Sequence, residues 1–117
     1  NNNKMATTTT DEQPRLAKNG PIATLFSTPA RAQIIDAFVA NKSRELTVSD
    51  IARLSDTARS TVYRHLDNLE ELEIITAVDA GPNNRYTLND NSEIATRLWE
   101  LEGLTLKRLL KVEESNE

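Results

Sequence analysis

The stretch that decides the fold is Thr47–Leu72, which reads TVSDIARLSDTARSTVYRHLDNLEEL. It opens with a hydroxyl residue, Thr47, followed three residues later by a carboxylate, Asp50. Both side chains can bind backbone N–H groups that a helix start leaves without partners, so this spacing predicts a capping box. Three small polar residues, Ser55-Asp56-Thr57, then favour a turn. The stretch therefore begins as a short capped helix that ends in a turn.

A second helix is predicted after this turn from the spacing of its apolar residues. Val62, Leu66, Leu69 and Leu72 recur at intervals of four and three residues, which places them on one side of a helix. Side chains that can contact phosphates and base edges lie opposite or on the flanks: Ser60, Thr61, Tyr63, Arg64 and Asn68. A capped helix, a tight turn and a second helix with a polar, arginine-bearing face predict a helix-turn-helix that enters the major groove of DNA.

The net charge of −4 argues against binding to a polyanion, but the charges are unevenly distributed. Between Lys42 and His65, five basic residues stand against three acidic ones, whereas four acidic residues follow between Leu66 and Glu73. Basic residues thus gather at the end of the motif that would meet DNA. The local asymmetry supports the predicted DNA-binding motif.

The composition favours one small domain and excludes several chemistries. The chain has 117 residues with only two Phe, two Tyr and one Trp, so a modest aliphatic core is expected. The absence of cysteine excludes disulfides and thiolate metal sites. A lone His65 and three glycines offer no catalytic triad or phosphate loop, so we expect no enzyme, metal or cofactor. Without a membrane-length apolar run or a signal-peptide pattern, a soluble cytoplasmic protein with no membrane contact is expected.

Upstream of the motif, the sequence predicts a flexible arm followed by two helices. The first four residues look like an expression-tag remnant, and residues 1–19 as a whole are polar and expected to be disordered. Gly20-Pro21 favours a short helical turn, and Ser27-Thr28-Pro29 favours the start of a helix that ends at Ala40. Glu45-Leu46-Thr47 is short enough to be a minimal strand.

Downstream of the motif, the sequence predicts a two-stranded hairpin. Ile74–Val78 is rich in β-branched residues, Gly81-Pro82-Asn83-Asn84 is a concentrated turn signal, and Arg85–Leu88 is the returning strand. Asn84, at the tip of this hairpin, is a further candidate for contact with DNA. Residues 20–90 are therefore predicted to form one mainly α-helical domain with a small β-hairpin.

A final helix is predicted over residues 91–112, with a cap from Asp90 and Glu93 and a flexible tail at residues 113–117. It is too apolar around its circumference to be covered by one small domain. The predicted seam residues are Ile94, Leu98, Trp99, Leu101, Leu106, Leu109 and Leu110. One interpretation is an intramolecular core helix, and the better one is a two-fold seam between identical chains. Such a homodimer would place two recognition helices ~34 Å apart, which matches a palindromic operator.

The order of elements resembles the winged helix-turn-helix transcriptional regulators, in particular the small ArsR-like and MarR-like proteins of halophilic archaea. The segments that carry the likeness are Leu25–Arg31 (LFSTPAR), Arg59–Leu66 (RSTVYRHL) and Leu69–Ile75 (LEELEII). The resemblance covers about residues 21–112. It implies that Arg59 joins Ser60, Thr61, Tyr63 and Arg64 at the groove. It also implies that Arg85, on the wing, contacts the DNA backbone or the minor groove.

Two positions depart from the pattern of that family. Asp56 stands where relatives often have glycine, although Asp tolerates the left-handed backbone better than most residues. Ala58 stands where a hydroxyl cap is usual, so Asp56 or Thr57 is expected to cap the second helix instead. The cysteine and histidine clusters of the metal-sensing members are missing.

The sequence thus predicts a homodimeric regulator of transcription that binds double-stranded DNA, more as a repressor than as an activator. The alternative hypothesis is a winged helix that binds proteins without recognising specific DNA. The sequence identifies no small-molecule effector.

Overall fold

The computed structural model describes residues 20–78 and 83–116. The elements are α1 (Pro21–Leu25), α2 (Pro29–Ala40), α3 (Val48–Ser55), α4 (Arg59–Glu71), β1 (Ile75–Val78), β2 (Arg85–Leu88) and α5 (Glu93–Ser115). This mainly α-helical architecture with a small hairpin confirms the predicted fold class. The predicted arm over residues 1–19 and the centre of the predicted hairpin turn, residues 79–82, lie outside the described residues.

The chain divides into two compact units, residues 1–32 and residues 33–117. The described part of the first unit holds α1 and the start of α2. Thr28 caps α2 as predicted, because its Oγ1 accepts a hydrogen bond from the N–H of Arg31 at 3.1 Å. The Nε of Arg31 donates to the carbonyl of Leu25 at 2.6 Å.

The core of the second unit is aliphatic apart from Phe38. Its buried residues come from α2 through α5 and from both strands: Ile34, Ile35, Ala37, Phe38, Val39, Leu46, Ile51, Ala52, Val62, Leu66, Leu69, Ile74, Ile75, Leu88, Ala95 and Leu98. α3 and α4 pack against each other, and α4 also packs against β1. The predicted inner stripe of α4 is confirmed at Val62, Leu66 and Leu69, while Leu72 is half-buried. Burial of this stripe leaves the opposite face of α4 in solvent.

A third, minimal strand at Leu46 pairs with the β1–β2 hairpin. β1 and β2 pair antiparallel, with Ile75 opposite Leu88. The N–H of Leu46 donates to the carbonyl of Tyr86 at 2.7 Å, and the N–H of Tyr86 donates back at 2.8 Å. The strand predicted around Leu46 is thereby confirmed. Because Thr47 follows directly, this pairing fixes the start of α3 beside the wing.

The capping box predicted for α3 is present. The Asp50 N–H donates to Thr47 Oγ1 at 3.1 Å, and the Thr47 N–H donates to Asp50 Oδ2 at 3.0 Å. These hydrogen bonds, chiefly the one from the Thr47 backbone, hold the pKa of Asp50 below its usual value. Asp56 ends the helix in the left-handed conformation, with φ 55°, so the predicted tolerance of Asp at this turn is confirmed.

Three predictions about helix ends are wrong. α4 begins after Ala58 without a side-chain cap, because the Thr57 hydroxyl is hydrogen-bonded to that of Ser55 at 2.8 Å instead. α5 is capped by Ser92, whose Oγ accepts from the Ala95 N–H at 3.2 Å, and not by Asp90 and Glu93. The residue with extended backbone before the first turn is the one placed to cap it. α5 also continues to Ser115, where a flexible tail was predicted from residue 113.

Candidate nucleic-acid interface and self-association surface

The outer face of α4 is polar and open to solvent. Its exposed side chains are Arg59, Ser60, Tyr63, Arg64 and Asn68, with Thr61 half-buried beside them. A guanidinium nitrogen of Arg64 donates to Thr61 Oγ1 at 3.3 Å, which holds Arg64 along the helix. The Asn68 amide donates to the carboxylate of Glu71 at 3.3 Å, so Asn68 contacts the acidic end of α4. All six predicted residues of α4 therefore lie away from its buried stripe.

The start of α4 is suited to bind an anion. Ala58 provides no side-chain cap, and the first helical residue is Arg59. The first N–H groups of a helix carry a partial positive charge, which attracts phosphate groups. The basic end of α4 is thus the end at which the helix dipole is also positive.

A notch of about 370 Å³ lies between the start of α3, the start of α4 and the wing. Its lining residues are Thr47, Val48, Ser49, Arg59, Tyr63, Asn83, Asn84 and Tyr86. The predicted residues Arg59, Tyr63 and Asn84 meet here although the sequence separates them by up to 25 positions. Arg85, on the wing, is exposed outside this lining. The notch joins the α4 face to the wing in one polar surface.

Five of the eight residues that line the notch were not predicted as DNA contacts from the sequence: Thr47, Val48, Ser49, Asn83 and Tyr86. Ser49 is the second residue of α3 and exposed, a place that the capping box already indicates. Tyr86 is half-buried, and burial together with the negative charge of Glu70 raises its pKa, while a hydrogen bond with Asn84 acts in the opposite direction. The Tyr86 hydroxyl therefore keeps its proton at neutral pH and can act as a hydrogen-bond donor.

Comparison with known proteins matches residues 26–78 to the helix-turn-helix domain family. The fold is a winged helix-turn-helix. A similar solved structure is the homodimeric winged helix-turn-helix DNA-binding domain Mb0332 from Mycobacterium bovis, described as a possible ArsR-family transcriptional regulator. It is 19% identical over 92% of this chain and 94% of that chain, with a TM-score of 0.58.

Two further structures share the winged helix-turn-helix fold. MepR, a transcription regulator of the Staphylococcus aureus multidrug efflux pump MepA, is 20% identical over 91% of this chain and 77% of that chain, with a TM-score of 0.61. NolR from Sinorhizobium fredii is 18% identical over 80% of this chain and 85% of that chain, with a TM-score of 0.56. No curated protein matches the sequence. At these identities the predicted resemblance to ArsR-like and MarR-like regulators is confirmed for the fold.

The winged helix-turn-helix protein has a second conspicuous surface on α5. At 3.6 residues per turn, Ala95 and Leu98 share one stripe of α5 with Leu106 and Leu109. Ala95 and Leu98 are buried in the domain, whereas Leu106 and Leu109 are 55% and 58% exposed. We call Leu101, Leu106, Leu109, Leu110 and Val112 together the distal apolar surface. The apolar stripe thus continues beyond the point at which the described domain covers it.

The predicted dimer seam needs one correction. Leu98 faces the core of its own protomer, because the first turns of α5 pack on the domain. The other predicted seam residues are each at least 45% exposed: Ile94, Trp99, Leu101, Leu106, Leu109 and Leu110. Lys42 lies over the Trp99 ring, with its Nζ 4.9 Å from the ring centre. Six of the seven predicted seam residues are thus exposed in the described structure.

Few described side chains could support other chemistry. The described residues contain no group of three or more acidic or histidine side chains placed to share a metal ion. His65 is half-buried on α4, next to the buried Leu66. None of the described helices combines the length and the apolar character needed to cross a membrane.

Proposed function

We propose that this chain is a sequence-specific, double-stranded-DNA-binding regulator of transcription that acts in the cytoplasm as a homodimer, more as a repressor than as an activator. The observation that carries the proposal is the continuous polar surface formed by the outer face of α4 and the notch beside the wing. A helix of this shape enters the major groove with its N-terminal half toward the bases. In α4 that half holds both arginines of the helix, Arg59 and Arg64.

The residues of this surface divide into two roles. Arg64 and Ser60, in the middle of the exposed face, reach base edges, and an arginine can contact guanine with two hydrogen bonds. Arg59 and Tyr63 line the notch, which seats a backbone phosphate between α4 and the wing. Asn84 and Arg85 extend the contact to the backbone or minor groove. Phosphate contacts set the register, and base contacts set the sequence preference.

Self-association follows from the distal apolar surface. A helix of 23 residues is about 35 Å long, and the five residues of its distal apolar surface, together with Leu104, are exposed with no cover from the described domain. A second copy of the same surface covers these side chains most simply, because a two-fold axis pairs a patch with itself. The similar M. bovis domain is described as homodimeric. Two α4 helices in such a dimer would read a palindromic operator, and the bound dimer would block access to the promoter.

The experiment that tests this function is selection of bound sequences from a random DNA pool with the full chain, at physiological and at molar salt. We expect an enriched palindrome with half-sites about one helical turn apart. Enrichment of single half-sites would support sequence-specific DNA binding but contradict the homodimer. No enrichment at either salt, from protein shown to be folded by circular dichroism, would contradict specific DNA binding.

The alternative function is a winged helix that binds other proteins, and one observation favours it. The second half of α4 is acidic, and the charges of Glu70 and Asp67 reach Tyr86 on the wing. These carboxylates repel phosphates and would suit a basic protein surface. A chain of this kind would bind operator and random DNA equally weakly in the same selection.

A further inference from the structure

A glycine interrupts an exposed apolar stripe on α5. Four residues follow one another along this stripe at intervals of four, three and four positions: Trp99, Gly103, Leu106 and Leu110. This is the spacing of a coiled-coil seam, in which each large side chain of one helix inserts between four residues of the other. The three large side chains are each at least 45% exposed. We call the four residues the glycine stripe; it shares Leu106 and Leu110 with the distal apolar surface.

The position of Gly103 is costly for the helix that contains it. Gly103 lies near the centre of α5, where glycine destabilises a helix relative to alanine. A Cβ built at this position would meet nothing within 4 Å in the described structure, so the protomer has room for alanine. None of the described contacts within the protomer therefore accounts for the missing side chain.

The missing side chain leaves a hollow on the surface of α5. A shallow, mainly apolar depression of about 490 Å³ opens at Gly103, between Trp99 and Lys107. In packed helices, a large side chain of one helix fills a gap of this kind in the surface of the other. The glycine stripe thus offers both parts of such a contact, a hollow at Gly103 and an exposed leucine one turn later at Leu106.

We propose that the depression at Gly103 receives Leu106 of a second copy of the chain, with the two α5 helices antiparallel. In this pairing Trp99 of each copy faces Leu110 of the other, and the two-fold axis repeats every contact. A parallel pairing would place the two glycines opposite each other and leave a void, which destabilises a packed interface. The inference rests on the proposed homodimer and adds the geometry of its contact.

The charges beside the glycine stripe suit this pairing. Glu100 and Lys107 lie on the same flank of the stripe, directly after Trp99 and Leu106. In antiparallel helices each Lys107 lies beside Glu100 of the other copy, and flanking ion pairs of this kind help to set the orientation of coiled coils. None of the ion pairs among the described residues involves Lys107, and Glu100 uses one carboxylate oxygen, Oε1, to bind Arg97. Each pair would therefore join a cation without an ion pair in the described protomer to a carboxylate with a second oxygen.

The antiparallel pairing also separates the two DNA-binding domains. Ala95 and Leu98, where α5 is buried against its own domain, come before or at the start of the glycine stripe. In two antiparallel helices these turns lie toward opposite ends of the seam, ~25 Å apart along its length. The two α4 helices are thereby held apart, as the reading of two half-sites requires.

The test is sedimentation equilibrium of the full chain with Gly103→Ala. We expect the dimer dissociation constant to rise at least about tenfold, because the added methyl group meets Leu106 of the other copy at both contacts. Urea denaturation at high dilution should change in the opposite direction: the midpoint should rise, since alanine favours the helix and fits the protomer. Gly20→Ala is the matched control, because Gly20 also has open space around it but precedes α1. It should keep the wild-type dissociation constant.

A second variant tests which side chain fills the hollow. Leu106→Val removes a methylene group, so the double variant Gly103→Ala with Leu106→Val keeps the volume of each contact and should recover most of the lost affinity. The orientation can be measured by cross-linking, because the chain has no cysteine of its own. A short bismaleimide should link Glu100→Cys to Lys107→Cys in a mixture of the two variants.

The outcomes separate this contact from the homodimer itself. A Gly103→Ala dimer as tight as the wild type would place Gly103 outside the contact and overturn the inference, with the homodimer intact. A tighter Gly103→Ala dimer would indicate facing glycines in a parallel pair and overturn the antiparallel contact, as would the absence of a cross-link between the two cysteine variants. A wild-type chain that is monomeric at every concentration would overturn the homodimer and, with it, this contact.

Discussion

The outer face of α4 and the distal half of α5 are both exposed, but the first is polar and the second is apolar. α4 buries Val62, Leu66 and Leu69 of its apolar stripe and presents arginine, hydroxyl and amide groups to solvent on the opposite face. α5 buries its stripe only in the first turns and then presents leucines. A polar exposed face is stable alone and is available for a polar ligand, whereas an apolar one loses free energy to water until a partner covers it. We therefore propose DNA as the ligand of the first surface and a second copy of the chain as the partner of the other.

The largest expected effect is a difference in the free energy of unfolding between truncation of a buried leucine and truncation of an exposed one. Leu69→Ala, on the fully buried stripe of α4, should lower the free energy of unfolding by about 2–5 kcal/mol. Leu110→Ala, an identical change on the distal apolar surface, should change it by less than about 0.5 kcal/mol while the chain is monomeric. Urea denaturation at high dilution measures both. Equal losses would mean that the monomer already covers Leu110.

The second prediction concerns what covers the distal apolar surface. Leu106→Glu places a carboxylate on the proposed seam in both copies of the dimer. Each lost leucine removes about 1.5–3 kcal/mol of burial, so the dimer should dissociate at least about a hundredfold more readily. Leu104→Glu is the control, because Leu104 is at least as exposed as Leu106 but lies on the opposite side of α5 from it. Sedimentation equilibrium measures the dimer dissociation constant of both variants. If both dimerise as tightly as the wild type, the dimer seam lies elsewhere.

The third prediction tests the α4 face. Arg64→Ala should weaken binding to the selected operator by about 1–3 kcal/mol and relax the preference at one base position. Arg97→Ala removes the same charge from α5, where Arg97 is paired with Glu93 and Glu100, and should leave operator affinity nearly unchanged. Fluorescence anisotropy on operator and random duplexes compares the two. Equal loss on both duplexes would assign Arg64 to a phosphate contact.

Local patterns predicted the elements well because the forces that set them are local. The Thr47–Asp50 capping box, the helix Pro29–Ala40 and the returning strand Arg85–Leu88 each depend on residues a few positions apart. The outer face of α4 was predictable for the same reason, since helical periodicity alone separates Arg64 from Leu66.

Features that depend on distant residues were not predictable in this way. Leu98 and Leu106 have the same periodicity on α5, and only the end of the domain core makes one buried and the other exposed. The notch required the pairing of Leu46 with Tyr86, which brings Ser49 beside the wing.

The smallest expected effect concerns the turn that joins the α4 face to the wing. Glu73 adopts a positive φ of 63° just after α4, where the N–H of Ile74 donates to the carbonyl of Leu69 at 3.0 Å and the N–H of Glu73 donates to that of Glu70 at 2.9 Å. This is a Schellman ending, in which glycine is the favoured residue because a Cβ strains the left-handed backbone.

Glu73→Gly should therefore raise the free energy of unfolding by about 0.5–1 kcal/mol, as the strain relieved exceeds the entropy that glycine adds to the unfolded chain. Asp67→Gly is the matched control, because it also removes one acidic residue but at an exposed position within α4. It should lower the same free energy by about 1 kcal/mol. Opposite signs in urea denaturation would show that backbone conformation decides the effect. Equal signs would mean that the removal of negative charge near the wing outweighs it.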